Sequence, residues 1–170
     1  MHKRTKGLGL AGVLALALAI LLPATALASG TTIYGWFHRN DSNTSRTFIW
    51  DYTNQNSCHY PQFKLAAKFN LGTVTAQSVY IKSLTVTYSF YSSGGVIGES
   101  GTLVDEYGHS AALNDTNVHY PVDRTSTTFT VNKTFKFSTT SGIVLFYNST
   151  VIGCGYNSSL QVGYNPTNPL

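Results

Sequence analysis

Between residues 82 and 91 apolar and hydroxyl side chains alternate without a break. Leu84, Val86, Tyr88 and Phe90 fall on one side, and Ser83, Thr85, Thr87 and Ser89 on the other. Residues 127–137 repeat the pattern, with Phe129, Val131, Phe135 and Phe137 set against Thr128, Thr130, Asn132, Thr134 and Lys136. A period of two over this length predicts strands with one buried and one wet face. Shorter apolar runs at 31–38, 46–52, 63–69, 73–81, 102–107, 142–148 and 159–164 predict further strands, although 64–69 also fits one helical turn. No stretch after residue 28 carries the i, i+3, i+4, i+7 stripe of an amphipathic helix.

Turn-forming residues punctuate these runs at 40–45, 92–95, 98–101, 114–117 and 138–142. Gly, Asn, Asp and Ser set the backbone conformations that tight turns need, and Ser92-Ser93-Gly94-Gly95 between two apolar runs predicts a hairpin. Eight to ten short strands without crossover helices predict an all-β fold. The expected architecture is an antiparallel β-sandwich, immunoglobulin-like or jelly-roll in type, formed by residues 29–170 as one domain.

The first 28 residues are set apart. His2, Lys3, Arg4 and Lys6 precede an uncharged apolar stretch at 10–22, Pro23 interrupts it, and Ala26-Leu27-Ala28 supplies small residues. This is the three-part pattern of a secretory signal cleaved after Ala28. The rival reading, a retained membrane anchor over 10–28, has Pro23 and Thr25 against it and no basic cluster following. The expected location is therefore extracellular, with the cell surface included, and contact with membrane is confined to the signal before cleavage.

Export alters the charge balance. The chain has 11 Lys+Arg and 7 Asp+Glu, but losing Lys3, Arg4 and Lys6 leaves eight basic residues against seven acidic. The sequence pI of about 9.1 thus overstates the basicity of the secreted chain. With no Lys/Arg cluster beyond the signal there is no field to draw phosphates, which argues against nucleic-acid binding. Charged residues make up only 11% of the sequence, and hydroxyls and amides replace them on the predicted wet faces.

Cys58 and Cys154 are the only cysteines. In an oxidising compartment they predict one intramolecular disulfide. Closing the 95 residues between them would remove about 4–5 kcal/mol of unfolded-chain entropy. A nucleophilic role for Cys58 would need a positioned base, and His59, adjacent on a strand, points the other way. A zinc site would need more Cys and His ligands at short spacing.

Two strands are apolar on both sides. Residues 31–38 place Tyr34 and Trp36 opposite Ile33 and Phe37, and residues 46–52 place Phe48, Trp50 and Tyr52 opposite Ile49. Such strands sit in a covered sheet or touch something else. The first predicts exchange of the N-terminal strand with a neighbouring subunit; Tyr34, Trp36 and Trp50 also suit stacking on sugar rings.

Signals for catalysis are sparse. Glycosidases set two carboxylates across a bond, which here means Glu99 meeting Asp105 or Glu106, and no G-x-S-x-G occurs. Asp105, Glu106 and His109 are weak metal candidates without a ligand ladder, so neither metal nor cofactor is expected. Asn40, Asn43, Asn114, Asn132, Asn148 and Asn157 stand in N-x-[ST] sequons, in mild excess over what composition gives. Together these features predict a secreted, non-catalytic structural or adhesive glycoprotein. Its expected partner is itself, as a filament or surface-layer subunit, or an extracellular polymer. The alternative is a lectin-like carbohydrate-binding module, and the third reading is a small secreted hydrolase or inhibitor.

Overall fold

A computed structural model describes residues 31–53, 62–138, 142–151 and 154–166. Eight strands account for most of them: β1 Thr31–Phe37, β2 Ser45–Asp51, β3 Phe63–Val74, β4 Ser78–Val104, β5 Ser110–Asp115, β6 His119–Lys136, β7 Ile143–Val151 and β8 Cys154–Tyr164. One 3-10 turn, Arg39–Asp41, joins β1 to β2. The strands form a single sheet in the order β1-β8-β7-β4-β3-β2, with β5 and β6 both paired to β4.

The 27-residue β4 is the spine of this sheet. Its first half pairs with β3 on one edge and β6 on the other, and its second half pairs with β7 and β5. The expected hairpin at 92–95 does not form: the chain bends there and continues as the same strand, with register shifts on either side of Gly94. The two glycines serve the bend rather than a reversal. Gly94 lies beneath the ring of Phe90, and a Cβ on Gly95 would sit 2.5 Å from Tyr120. The turn expected at 98–101 is also strand, with Gly101 leaving space for Tyr147, whose ring a Cβ there would meet at 2.6 Å. A true turn instead splits the 73–81 run, where Thr75 N donates to Ser78 O at 2.8 Å and Thr75 Oγ1 accepts from the N–H groups of Gln77 and Ser78.

The bend folds the two halves of the sheet over one another, so its end strands approach. Gly35 of β1 lies against the ring of Phe48 in β2, and Trp50 Nε1 donates to Thr31 O at 3.2 Å and Ser159 O at 3.1 Å. The result is a mixed sheet nearly closed into a barrel. The all-β class is as expected, but the strands join in one sheet where two face-to-face sheets were expected, and one pairing is not antiparallel, because β1 runs parallel to β8. Pairing direction is set by how the chain returns, and the period of the side chains carries no trace of it.

The alternations expected from sequence are borne out at both long runs. Leu84, Val86, Tyr88 and Phe90 are buried, as are Phe129, Phe135 and Phe137. Asn132, at φ 45°, lies at a register shift between β6 and β4, and Val131 and Phe135 on either side of it both meet the core. Residues 64–69 are strand, with Phe63, Leu65, Ala67 and Phe69 inward. Aromatic rings fill much of the interior: Phe37, Phe48 and Phe69 meet edge to face at 5.6–5.9 Å, and Phe63 lies between Tyr52, Tyr88 and Tyr156.

Candidate functional site

Strand registers define the outer face of the half of the sheet built from β1, β8, β7, the second half of β4, and β5. Residues directly opposite one another share a face, so the face can be read row by row. Tyr34 stands beside Gln161, Val144, Val104 and Ser110; the next row holds Thr32, Ser159, Phe146, Thr102 and Ala112; the row beyond holds Asn157, Asn148, Ser100 and Asn114. Trp36 lies opposite Gly163, and its ring covers that glycine so closely that a Cβ there would sit 2.6 Å from it. None of these residues is charged. At about 4.8 Å per strand the face is about 20 Å across, and it presents Tyr34, Phe146 and Trp36 at 73%, 53% and 52% exposure.

The opposite outer face is different in kind. Its rows are Thr47, Lys68, Thr85 and Thr128, then Ile49, Ala66, Thr87 and Ser126, then Asp51, Lys64, Ser89 and Arg124. Cross-strand hydroxyls bond one another there, Thr85 with Thr128 at 2.9 Å and Thr87 with Ser126 at 2.8 Å. Lys64 and Asp51 lie 3.2 Å apart. Self-satisfied hydroxyls and paired charges offer little to a ligand.

The residues singled out from sequence therefore separate. Tyr34 and Trp36 are exposed on the uncharged face, while Phe37 is buried and Ile33 half-buried against the core. Trp50 is 1% exposed with its N–H engaged, so it is a closure residue and offers no stacking surface. Phe146 was missed, because residues 142–148 read as one apolar run without a wet side. Asn40, Asn43, Asn114, Asn132 and Asn148 are exposed and Asn157 is half-buried. Three of these sequon asparagines form the row beside Phe146. Cys154 is half-buried at the start of β8, and Cys58 lies outside the described residues.

Asp105 ends β4 and organises the following turn. Its side chain is fully buried: Oδ1 accepts from the N–H groups of Tyr107 and His109, both at 3.0 Å, while Oδ2 accepts from Lys136 N at 2.7 Å and lies 2.8 Å from His109 Nδ1. Burial raises its proton affinity, but these donors outweigh it and hold the carboxyl below its ordinary pKa. With its oxygens so occupied, Asp105 has little left for a cation, and no group of three His, Cys, Asp or Glu among the described residues is placed to hold one. Replacing Asp105 with Ala is expected to destabilise the fold by about 3 kcal/mol, since several buried donors lose their acceptor together. Urea denaturation compared with wild type checks this.

The carboxylates that a glycosidase reading would need, Glu99 with Asp105 or Glu106, do not stand opposite one another in the sheet. Glu99 pairs across the sheet with Asp115 and Ser149. Glu99 is 5% exposed; its carboxyl lies by the hydroxyls of Tyr147 and Thr127, with Tyr88 and Ser149 alongside, and none of its contacts is a well-formed hydrogen bond. Burial pushes the Glu99 carboxyl up, whereas the Asn117 N–H bonded to Asp115 holds that carboxyl down. Opposed shifts of this kind can serve acid–base chemistry, but Glu99 is sealed beneath the sheet. Tyr88 and Tyr147 are likewise raised by burial.

Against this geometry, no protein-family model, no curated protein and no solved structure matches the chain.

Proposed function

We propose that this is a secreted, non-catalytic adhesive protein whose working surface is the uncharged aromatic face of β1, β8 and β7, and that the face binds a neutral extracellular polysaccharide. One observation carries the reading: Tyr34, Trp36 and Phe146 project from a single sheet face on which amides and hydroxyls are the only polar groups. A pyranose ring presents axial C–H groups to an aromatic ring and hydroxyls around its rim. Flat aromatics set among Gln161, Asn148, Ser159 and Thr32 match both parts. An uncharged face neither repels nor selects a charged polymer, which favours a neutral one.

Three further elements belong to this reading. The sequence before Ser29 is the export signal. The folded-over halves of the sheet act as the two layers of a sandwich, stapled by a Cys58–Cys154 disulfide; the absence of a free cysteine among the described residues supports the staple. The exposed sequons carry glycans where the host attaches them. A second reading, a filament or surface-layer subunit joined by exchange of β1, is favoured by the position of that strand. It is the first described strand, and its only strand partner among the described residues is β8, in parallel.

The test is retention of the purified protein on insoluble cellulose, chitin and β-glucan. Trp36→Ala and Tyr34→Ala are expected to lower retention about tenfold each while leaving the urea midpoint within about 0.5 kcal/mol of wild type, as exposed sites allow. Retention unchanged in both variants would refute the face as the binding surface. Polymers seen by light scattering without any glycan, and lost on deleting residues 29–38, would establish the filament reading instead.

A further inference from the structure

At one end of the barrel, beyond the edge of the aromatic face, four segments line an open cleft of about 630 Å³. The 75–78 turn contributes Gln77 and Ser78, the turn after β4 contributes Tyr107, the end of β6 contributes Lys136, and β8 contributes Tyr164. Its size lies in the range that holds a small ligand.

The cleft is built rather than incidental. Phe137 N donates to Gln77 O at 2.8 Å, which ties the 75–78 turn to the end of β6. Asp105 accepts from both Tyr107 N and Lys136 N, which ties β6 to the opposite wall. Tyr164 is backed by Phe137, their ring centroids 6.0 Å apart. The walls are therefore set before anything binds, and binding need not order them.

Its chemistry is specific. Lys136 Nζ stands 5.6 Å from the centroid of the Tyr107 ring. Lys136 is the only charged residue lining the cleft, and its ammonium forms no ion pair with a carboxylate among the described residues. Of the two acids next to Tyr107, Asp105 spends both oxygens on N–H donors, and Glu106 lies by the Tyr107 hydroxyl outside the cleft lining. A cation set against one aromatic ring, in a cleft otherwise lined by a second ring and neutral polar groups, lacks one complement, an anion carried on a ring-shaped, hydroxylated body.

We propose that this cleft binds a uronic-acid residue of an acidic polysaccharide, its carboxylate on Lys136 Nζ, its ring between Tyr107 and Tyr164, and its hydroxyls toward Gln77 and Ser78. The inference extends the saccharide reading of the outer face but does not depend on that face. The protein then has two sugar-binding surfaces of different charge preference, one for neutral chains and one for acidic chains, as suits adhesion to a mixed matrix.

The experiment is calorimetric titration of the purified full chain with trigalacturonic acid, and with maltotriose as the neutral control, at low and high salt. Trigalacturonic acid is expected to bind, to weaken with salt as a single ion pair does, and to outcompete maltotriose. Lys136→Gln is expected to lower its affinity roughly 10- to 100-fold, in keeping with a charged hydrogen bond, and Lys136→Arg to restore most of it. Tyr164→Ala is expected to weaken it with the urea midpoint monitored as a fold control. Trp36→Ala is expected to leave it unchanged, which separates failure of the cleft from failure of the outer face. Absence of trigalacturonate binding, or binding indifferent to Lys136→Gln, would overturn the proposal. Preference for a sulfated trisaccharide over the uronate would overturn the carboxylate assignment.

Discussion

Trp50→Ala is expected to cost about 3–5 kcal/mol, the range for removing a large buried aromatic, whereas Trp36→Ala is expected to cost little. The contrast follows from position alone. Trp50 is 1% exposed and Trp36 52%. The Trp50 indole N–H also joins two strands, donating to Thr31 O in β1 and Ser159 O in β8 from its place in β2. Its removal leaves a cavity at the seam where the barrel closes and deprives two carbonyls of a donor. Trp50→Phe, which keeps most of the volume, is expected to lose about 1–2 kcal/mol, the share of the hydrogen bonds. Urea denaturation of the three variants followed by far-ultraviolet circular dichroism measures this. Equal losses for Trp50→Ala and Trp36→Ala would show that the seam is not closed as described.

The second large effect is expected from pH. Burial raises the proton affinity of Glu99 in β4; the hydroxyls of Tyr147 and Thr127 oppose this in part, the Asp115 charge adds to it, and His119 opposes it, with the net shift upward. The groups facing it are Asp115 of β5, Thr127 and His119 of β6, Tyr88 of β4, and Tyr147 and Ser149 of β7. A carboxyl whose folded pKa lies above its unfolded value of 4.5 favours the folded state fully below that value. That contribution is lost as pH rises through the folded pKa. Asp105 and Asp115 act in the opposite sense: their folded pKa values are lowered from 3.8, so their contribution is present above 3.8 and is lost as pH falls. Stability is therefore expected to peak in mildly acidic solution and decline on both sides. Glu99→Gln, neutral at every pH, is expected to flatten the decline on the alkaline side and to be more stable than wild type at pH 8, because burying an ionised carboxylate costs more than burying a neutral amide in the same place. The acid side should stay as it is. An alkaline decline identical in the variant would show that Glu99 is not its source.

The legible part of this fold was what a period of two can encode. Residues 82–91 and 127–137 showed which side chains would be buried, and the same rule separated Tyr34 and Trp36 from Ile33 and Phe37. The period says nothing of where a strand ends when the punctuation is ambiguous. Gly94 and Gly95 serve a bend here, yet their sequence reads equally as a reversal, because a glycine chosen for space looks the same as one chosen for its backbone freedom. Nor does it reveal long-range partners. The pairing of Glu99 with Asp115, the parallel docking of β1 on β8 and the grip of Asp105 on Lys136 all arise from how distant segments return to one place. Trp50 and Trp36 looked alike because both lie in strands with apolar residues on two sides, and only the seam between β1 and β2 tells them apart. Phe146 escaped notice because its neighbours Val144 and Leu145 are apolar too, leaving no polar face to expose it.

Trp36 and Trp50 are the only two tryptophans, one exposed and one buried, so the protein carries its own reporter of its outer face. The most direct measurement is tryptophan emission and its quenching by acrylamide as a soluble neutral β-glucan is added. A ligand lying across the face is predicted to shift the red-edge emission of Trp36 to shorter wavelength and protect it from acrylamide, with a saturable dependence on glucan and no change in Trp50→Phe beyond loss of the buried component. Full quenching of Trp36 at every concentration of glucan, chitin and cellulose oligomers tested would contradict the claim that this face binds neutral saccharide.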